Sequence, residues 1–220
     1  MSTNILSLPR ELRNKIYEEL LVCEPSIEID SQLRFLPIDL TQGLLFTCRT
    51  IHSEARSVFY AQNTFKFALS NAQAFLNKIG LINASSIQHV TITFPSFYDL
   101  ETPNIVLGVS DSQGLSKIQN DCTSLNALET DLESTNTWQS KLDELDNLNI
   151  VAEALALVDS RFRAIRSLQK ITVNLYEEGP GDYIEKEMIN HGWIINTTEN
   201  PQSDDVEYEL FGRYDYYEYD

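Results

Sequence analysis

The residues able to do chemistry are thinly spread. His52, His89 and His191 fall on three different predicted elements, and none has a second ligand at metal-binding spacing. His52-Ser53-Glu54 supplies the H-x-E half of a zinc-deaminase pattern, but no P-C-x-x-C follows to complete the metal set. The three cysteines, Cys23, Cys48 and Cys122, are odd in number and form no C-x-x-C pair. Cys23 and Cys48 fall on or next to apolar helix faces, where cysteine behaves as a small hydrophobe. The carboxylates of Asp143-Glu144, Asp146 and Glu177-Glu178 lack the D-x-D-x-D-G string of a calcium loop and read as solvated surface. In Gly179-Pro180-Gly181 the proline removes an amide that a phosphate cradle needs, so this is a turn. No catalytic, cofactor-binding or metal-ligating set emerges. An enzyme is expected not to be encoded here, and abundant carboxylates alone speak for that class.

The elements that must carry any function are clearer. Leu8, Leu12, Ile16 and Leu20 recur every four residues, with Pro9 at the helix start and Glu11 in the first turn. This spacing predicts an amphipathic helix over 9–22, with Arg10, Arg13, Asn14 and Glu18 elsewhere on the wheel. An extended excursion with a short strand is expected over 24–40. Leu44, Cys48, Ile51, Ala55 and Phe59 then predict a second amphipathic helix over 42–60, with Arg49, Ser53 and Glu54 on its opposite side. Phe65, Phe67 and Leu69 alternate as in a strand. A helix ending at Gly80 and a strand over 87–94 follow. The polar, acidic segment 96–148 reads as an insertion, mostly loop, with Leu125, Leu128 and Leu132 supporting one helix. A helix over 149–167, a strand over 170–176, a short helix over 182–190 and two strands at 193–197 and 206–211 complete the chain.

Ile87-Gln88-His89-Val90-Thr91-Ile92-Thr93-Phe94 and Leu168-Gln169-Lys170-Ile171-Thr172-Val173-Asn174-Leu175 match in residue type, position by position. Each follows an amphipathic helix, and each has the L-x-x-L-x-L form of a leucine-rich-repeat strand. The expected fold class is α+β. A helical head, 1–62, continues into a helix–strand, leucine-rich-repeat-like mixed sheet body, 63–212, with the insertion 96–148 and an acidic aromatic tail, 213–220. A single integrated domain over 1–212 is the alternative.

With 42% hydrophobic residues, a chain of 220 residues can bury a sizeable core. The net charge of −17 disfavours nucleic acid and anionic membranes as partners. Residues 1–94 are neutral by count, while 171–220 carry two basic and thirteen acidic groups. That last stretch reads as a solvated surface or as a docking surface for a basic partner. Cysteine usage, with no signal-peptide pattern and no membrane-length apolar run, predicts the cytoplasm or nucleus. The sequons at Asn83 and Asn196 are then unused.

Leu8-Pro9-x-Glu11-Leu12-x-x-x-Ile16 resembles the opening of an F-box, and Leu44-Leu45-x-x-Cys48-Arg49 its second half. With Leu12-Arg13-x-x-Ile16-Tyr17, Ile51-His52-x-Glu54-Ala55, Phe59-Tyr60-x-x-Asn63-Thr64-Phe65 and Ile79-Gly80, the stretch 8–94 resembles more specifically a group of F-box-like proteins of filamentous fungi. The chain departs from an F-box in the wider gap between its two helices and in Ile51, where tryptophan is usual. The resemblance implies that the head binds the adaptor subunit of a cullin-type ubiquitin ligase and the body binds a client. The implied protein-binding positions are Leu8, Pro9, Leu12, Ile16 and Leu20, with no cofactor. Two other readings stay open: these side chains are internal core, or the chain is a stand-alone acidic interaction module without a ligase link.

Overall fold

The computed structural model describes residues 5–24, 26–30, 32–33, 35–36, 42–100, 105–132, 148–175 and 180–197. In chain order its helices are α1 (Arg10–Leu21), α2 (Arg49–Gln62), α3 (Ala72–Ile79), α4 (Leu81–Ala84), α5 (Val109–Asp121), α6 (Leu148–Arg163) and α7 (Asp182–Asn190). Its strands are β1 (Ile27–Ile29), β2 (Phe35–Leu36), β3 (Thr64–Phe67), β4 (His89–Thr93), β5 (Phe97–Asp99), β6 (Val106–Leu107), β7 (Ala127–Leu132), β8 (Lys170–Leu175) and β9 (Ile194–Thr197). The chain is thus a mixed helix-and-strand protein.

Seven strands form one sheet in the order β2-β1-β3-β4-β7-β8-β9. All neighbours are parallel except the edge pair β1–β2. The parallel strands stand in chain order, each joined to the next through a helix. Right-handed crossovers in such an order place α2, α3, α5, α6 and α7 on the same face. Side-chain alternation obeys that layout. Phe65, Val90, Leu128 and Ile171 are in register, as are Phe67, Ile92, Thr130 and Val173, and all eight are buried. Phe65 meets Phe59 of α2 and Phe75 of α3, and Phe67 also meets Phe75, which places these rows on the helix side. The intervening row, Glu28, Lys66, Thr91, Glu129 and Thr172, points the other way.

Several expectations need correction. Among its described residues, 96–100, 105–132 and 148, the stretch 96–148 is not mostly loop with one helix at Leu125–Leu132. It holds the β5–β6 hairpin, helix α5 and strand β7, a third helix–strand unit. Leu125, Leu128 and Leu132 are buried along that strand and the turn before it. The two matching strands, β4 and β8, are therefore not neighbours, because β7 pairs with both. Gly114 lets α5 approach the turn before α3: a Cβ there would press on the Leu69 carbonyl oxygen.

The expected helix 42–60 is broken. A 3-10 turn, Gln42–Phe46, precedes α2, and extended Cys48 stands between them. Cys48 is exposed instead of packing as a small hydrophobe, whereas Cys122 is buried. Gly80, at φ +80°, ends α3 as its glycine predicts. The predicted strand 206–211 and the tail 213–220 lie outside the described residues. Among the described residues no helix is long and apolar enough to cross a membrane.

Candidate functional site

Helix α1 packs along α2 and has two adjacent stripes with different surroundings. Tyr17 and Leu21, four residues apart, are fully buried. One turn earlier on that stripe, Arg13 donates from Nε and Nη2 to the two carboxylate oxygens of Glu54 on α2, at 2.8 and 2.6 Å. Tyr17 adds a hydroxyl hydrogen bond to Glu54 Oε2 at 3.1 Å. The third Arg13 nitrogen donates to the Leu8 carbonyl at 2.6 Å, which fixes the approach to the helix. The Arg13 guanidinium, with Tyr17 in support, lowers the Glu54 carboxyl to about 2 against the opposing effect of burial. Burial and the neighbouring carboxylate raise the Tyr17 hydroxyl.

The far end of the same packing is held by Asn63, which is buried at the end of α2. Its amide donates to the carbonyls of Leu21, at 2.7 Å, and Phe59, at 2.8 Å, and its oxygen accepts from the Cys23 amide at 2.8 Å. Carbonyls at the ends of both helices, unpaired within the helix, are thereby satisfied.

The leucine stripe is the one that remains open. Leu12, Ile16 and Leu20 each precede a packed residue by one position, which turns them about 100° away around the helix. Leu12 is 47% exposed, Leu20 39% and Leu6, in the turn before α1, 40%. Pro9 is exposed, while Leu8 and Ile16 are half-buried. Arg10, Glu11, Lys15 and Glu19 are exposed around them. All five residues singled out in the sequence thus sit on one helix and its entry, as an apolar stripe with a charged rim. That is a pattern associated with interaction sites. The internal-core reading fails for Leu12 and Leu20.

Sequence reasoning did not find Arg13, Tyr17, Glu54 and Asn63 as the packing set. Each lies within the quoted motifs, but the period-four leucines pointed to a different face, and the pairing of Arg13 with Glu54 spans 41 residues.

The histidines are kept apart. His52 is exposed, with Nδ1 2.7 Å from the Leu45 carbonyl. His89 lies half-buried on β4, and His191 has Nδ1 3.7 Å from Asp159 Oδ2. Among the described residues no three His, Cys, Asp or Glu side chains are placed to share a metal ion.

Comparison with protein-family models, with curated proteins and with solved structures found no match for this chain.

Proposed function

We propose that the chain is a protein-interaction module whose α1 stripe, Leu8, Pro9, Leu12, Ile16 and Leu20, docks the adaptor subunit of a cullin-type ubiquitin ligase. The remainder then presents a client, and the protein works as an F-box-like substrate adaptor in the cytoplasm or nucleus. No catalytic step and no cofactor belong to this reading.

One observation carries it. Of the residues that resemble an F-box opening, Pro9, Glu11 and Leu12 are exposed and Leu8 and Ile16 are half-buried, while Arg13, Tyr17 and Leu21 hold the helix to α2. Burying an exposed leucine contributes about 1 kcal/mol or more, so several such side chains on one helix face supply a usable hydrophobic contact. A second reading, a module with no ligase partner, is favoured by Ile51. It is buried at the start of α2, where an F-box usually carries tryptophan.

Co-expression with a purified-tag adaptor subunit tests the proposal. A stable complex on size exclusion is expected for the natural chain, and Leu12→Asp should abolish it while leaving the circular dichroism spectrum unchanged. A folded natural chain that elutes alone beside the adaptor at micromolar concentration refutes it.

A further inference from the structure

The sheet face opposite the helices is hollowed. Thr64 of β3, Thr91 of β4 and Glu129 of β7 line a cavity of about 350 Å³ with Glu24, Ser26 and Gln62. Two residues further along the same strands, Lys66, Thr93 and Asp131 line a second cavity, of about 150 Å³, with Glu28 and, at the strand ends, Ile29, Phe67, Ala68 and Ile92. Side chains two apart on a strand stand roughly 6–7 Å from each other. The hollows therefore follow each other along the strands at the repeat of alternate side chains in an extended peptide.

The unpaired charge among the residues lining them is negative. Lys66 Nζ lies 3.0 Å from Asp131 Oδ2, and the other Asp131 oxygen accepts from Asn174 at 2.8 Å, so this lysine is neutralised in place. Glu24 and Glu28 are exposed and Glu129 is half-buried, and none has an ion-pair partner among the described residues. In register with Glu129, the Thr172 hydroxyl is buried and has no hydrogen-bond partner among the described residues. A second copy of this chain, at −17, is a poor occupant, and so is its own last fifty residues, with thirteen acidic against two basic groups.

We propose that this face is a docking groove for an extended, lysine- or arginine-bearing segment of a partner protein. Alternate basic side chains enter the two hollows and meet Glu24, Glu28 and Glu129. The site is separate from α1 and does not depend on what α1 binds.

The test uses the full chain and a fluorescein-labelled peptide of alternating lysine and serine, read by fluorescence polarisation. Glu28→Lys with Glu129→Lys should weaken binding about tenfold. Glu153→Lys with Asp182→Lys, which gives the same net charge from exposed positions on α6 and α7, should weaken it less than about twofold. Equal losses in the two double variants mean attraction by overall charge alone and overturn the proposal. If the lysine variant does not fold, Glu28→Gln with Glu129→Gln should still weaken binding about threefold, and unchanged affinity overturns the groove. Zero-length carbodiimide coupling should join probe lysines to Glu24, Glu28 or Glu129; coupling only to other carboxylates also overturns it. Leu12→Asp should leave peptide binding intact, which separates failure here from failure of the adaptor reading.

Discussion

Glu54 holds α1 to α2 through a carboxylate that must stay ionised. Its carboxyl titrates at about 2 in the folded chain instead of the ordinary 4.5, because Arg13 donates two hydrogen bonds to the charged form. A depressed carboxyl stabilises the fold fully above its unfolded value and loses that contribution as pH falls through 4.5 towards 2. The thermal midpoint of the natural chain should therefore exceed that of Glu54→Gln by a constant margin at neutral pH. The margin should close between pH 4.5 and about 2. A gap independent of pH would show that the ion pair contributes nothing. Asn63 is the second anchor. Asn63→Ala leaves two helix carbonyls and the Cys23 amide short of partners and should cost about 2–4 kcal/mol in urea unfolding, with loss near zero as the contrary result. Neither role was legible beforehand, because the partners of Asn63 at and just beyond the end of α1 lie about forty residues away in sequence.

Within α1, hydrophobic periodicity located the helix and the leucine stripe but left open which stripe the fold uses. The packed stripe is mixed, Arg13, Tyr17 and Leu21, and a wheel scored by apolarity overlooks a half-buried arginine paired with a carboxylate. The two stripes should separate in unfolding experiments. Leu21→Ala removes a fully buried side chain and should cost about 2–5 kcal/mol, whereas Leu12→Ala should cost less than about 1 kcal/mol. Equal costs would place both leucines in the core. Strand β7 was misread for a related reason. Leu125, Leu128 and Leu132 are spaced by three and four as on a helix, and Thr130 interrupts the apolar alternation that marks a strand. That Thr130 hydroxyl is fully buried on the helix side, without a hydrogen-bond partner among the described residues. Thr130→Val, nearly the same shape, should raise stability by about 0.5–2 kcal/mol in urea unfolding; a loss would reveal a partner for the hydroxyl.

At the scale of the molecule, six parallel strands in chain order make a stack of helix–strand units in which each unit buries its apolar row against the next helix. Two of those units were readable in the sequence as β4 and β8 because their residue types repeat. The unit between them was hidden by polar, acidic composition around a short apolar row. The head is part of the same stack, since β1 pairs with β3 and α1 is tied to α2 by Arg13, Glu54 and Asn63. Under the two proposals made above, the α1 stripe and the sheet face opposite the helices take different partners. The most direct measurement is hydrogen–deuterium exchange on the full chain with and without the purified adaptor subunit of a cullin-type ligase. Added adaptor is expected to slow exchange in the peptide spanning residues 5–20 and to leave β3, β4 and β7 unchanged. No protection over 5–20, or protection confined to the sheet, would contradict the assignment of α1 as the docking helix.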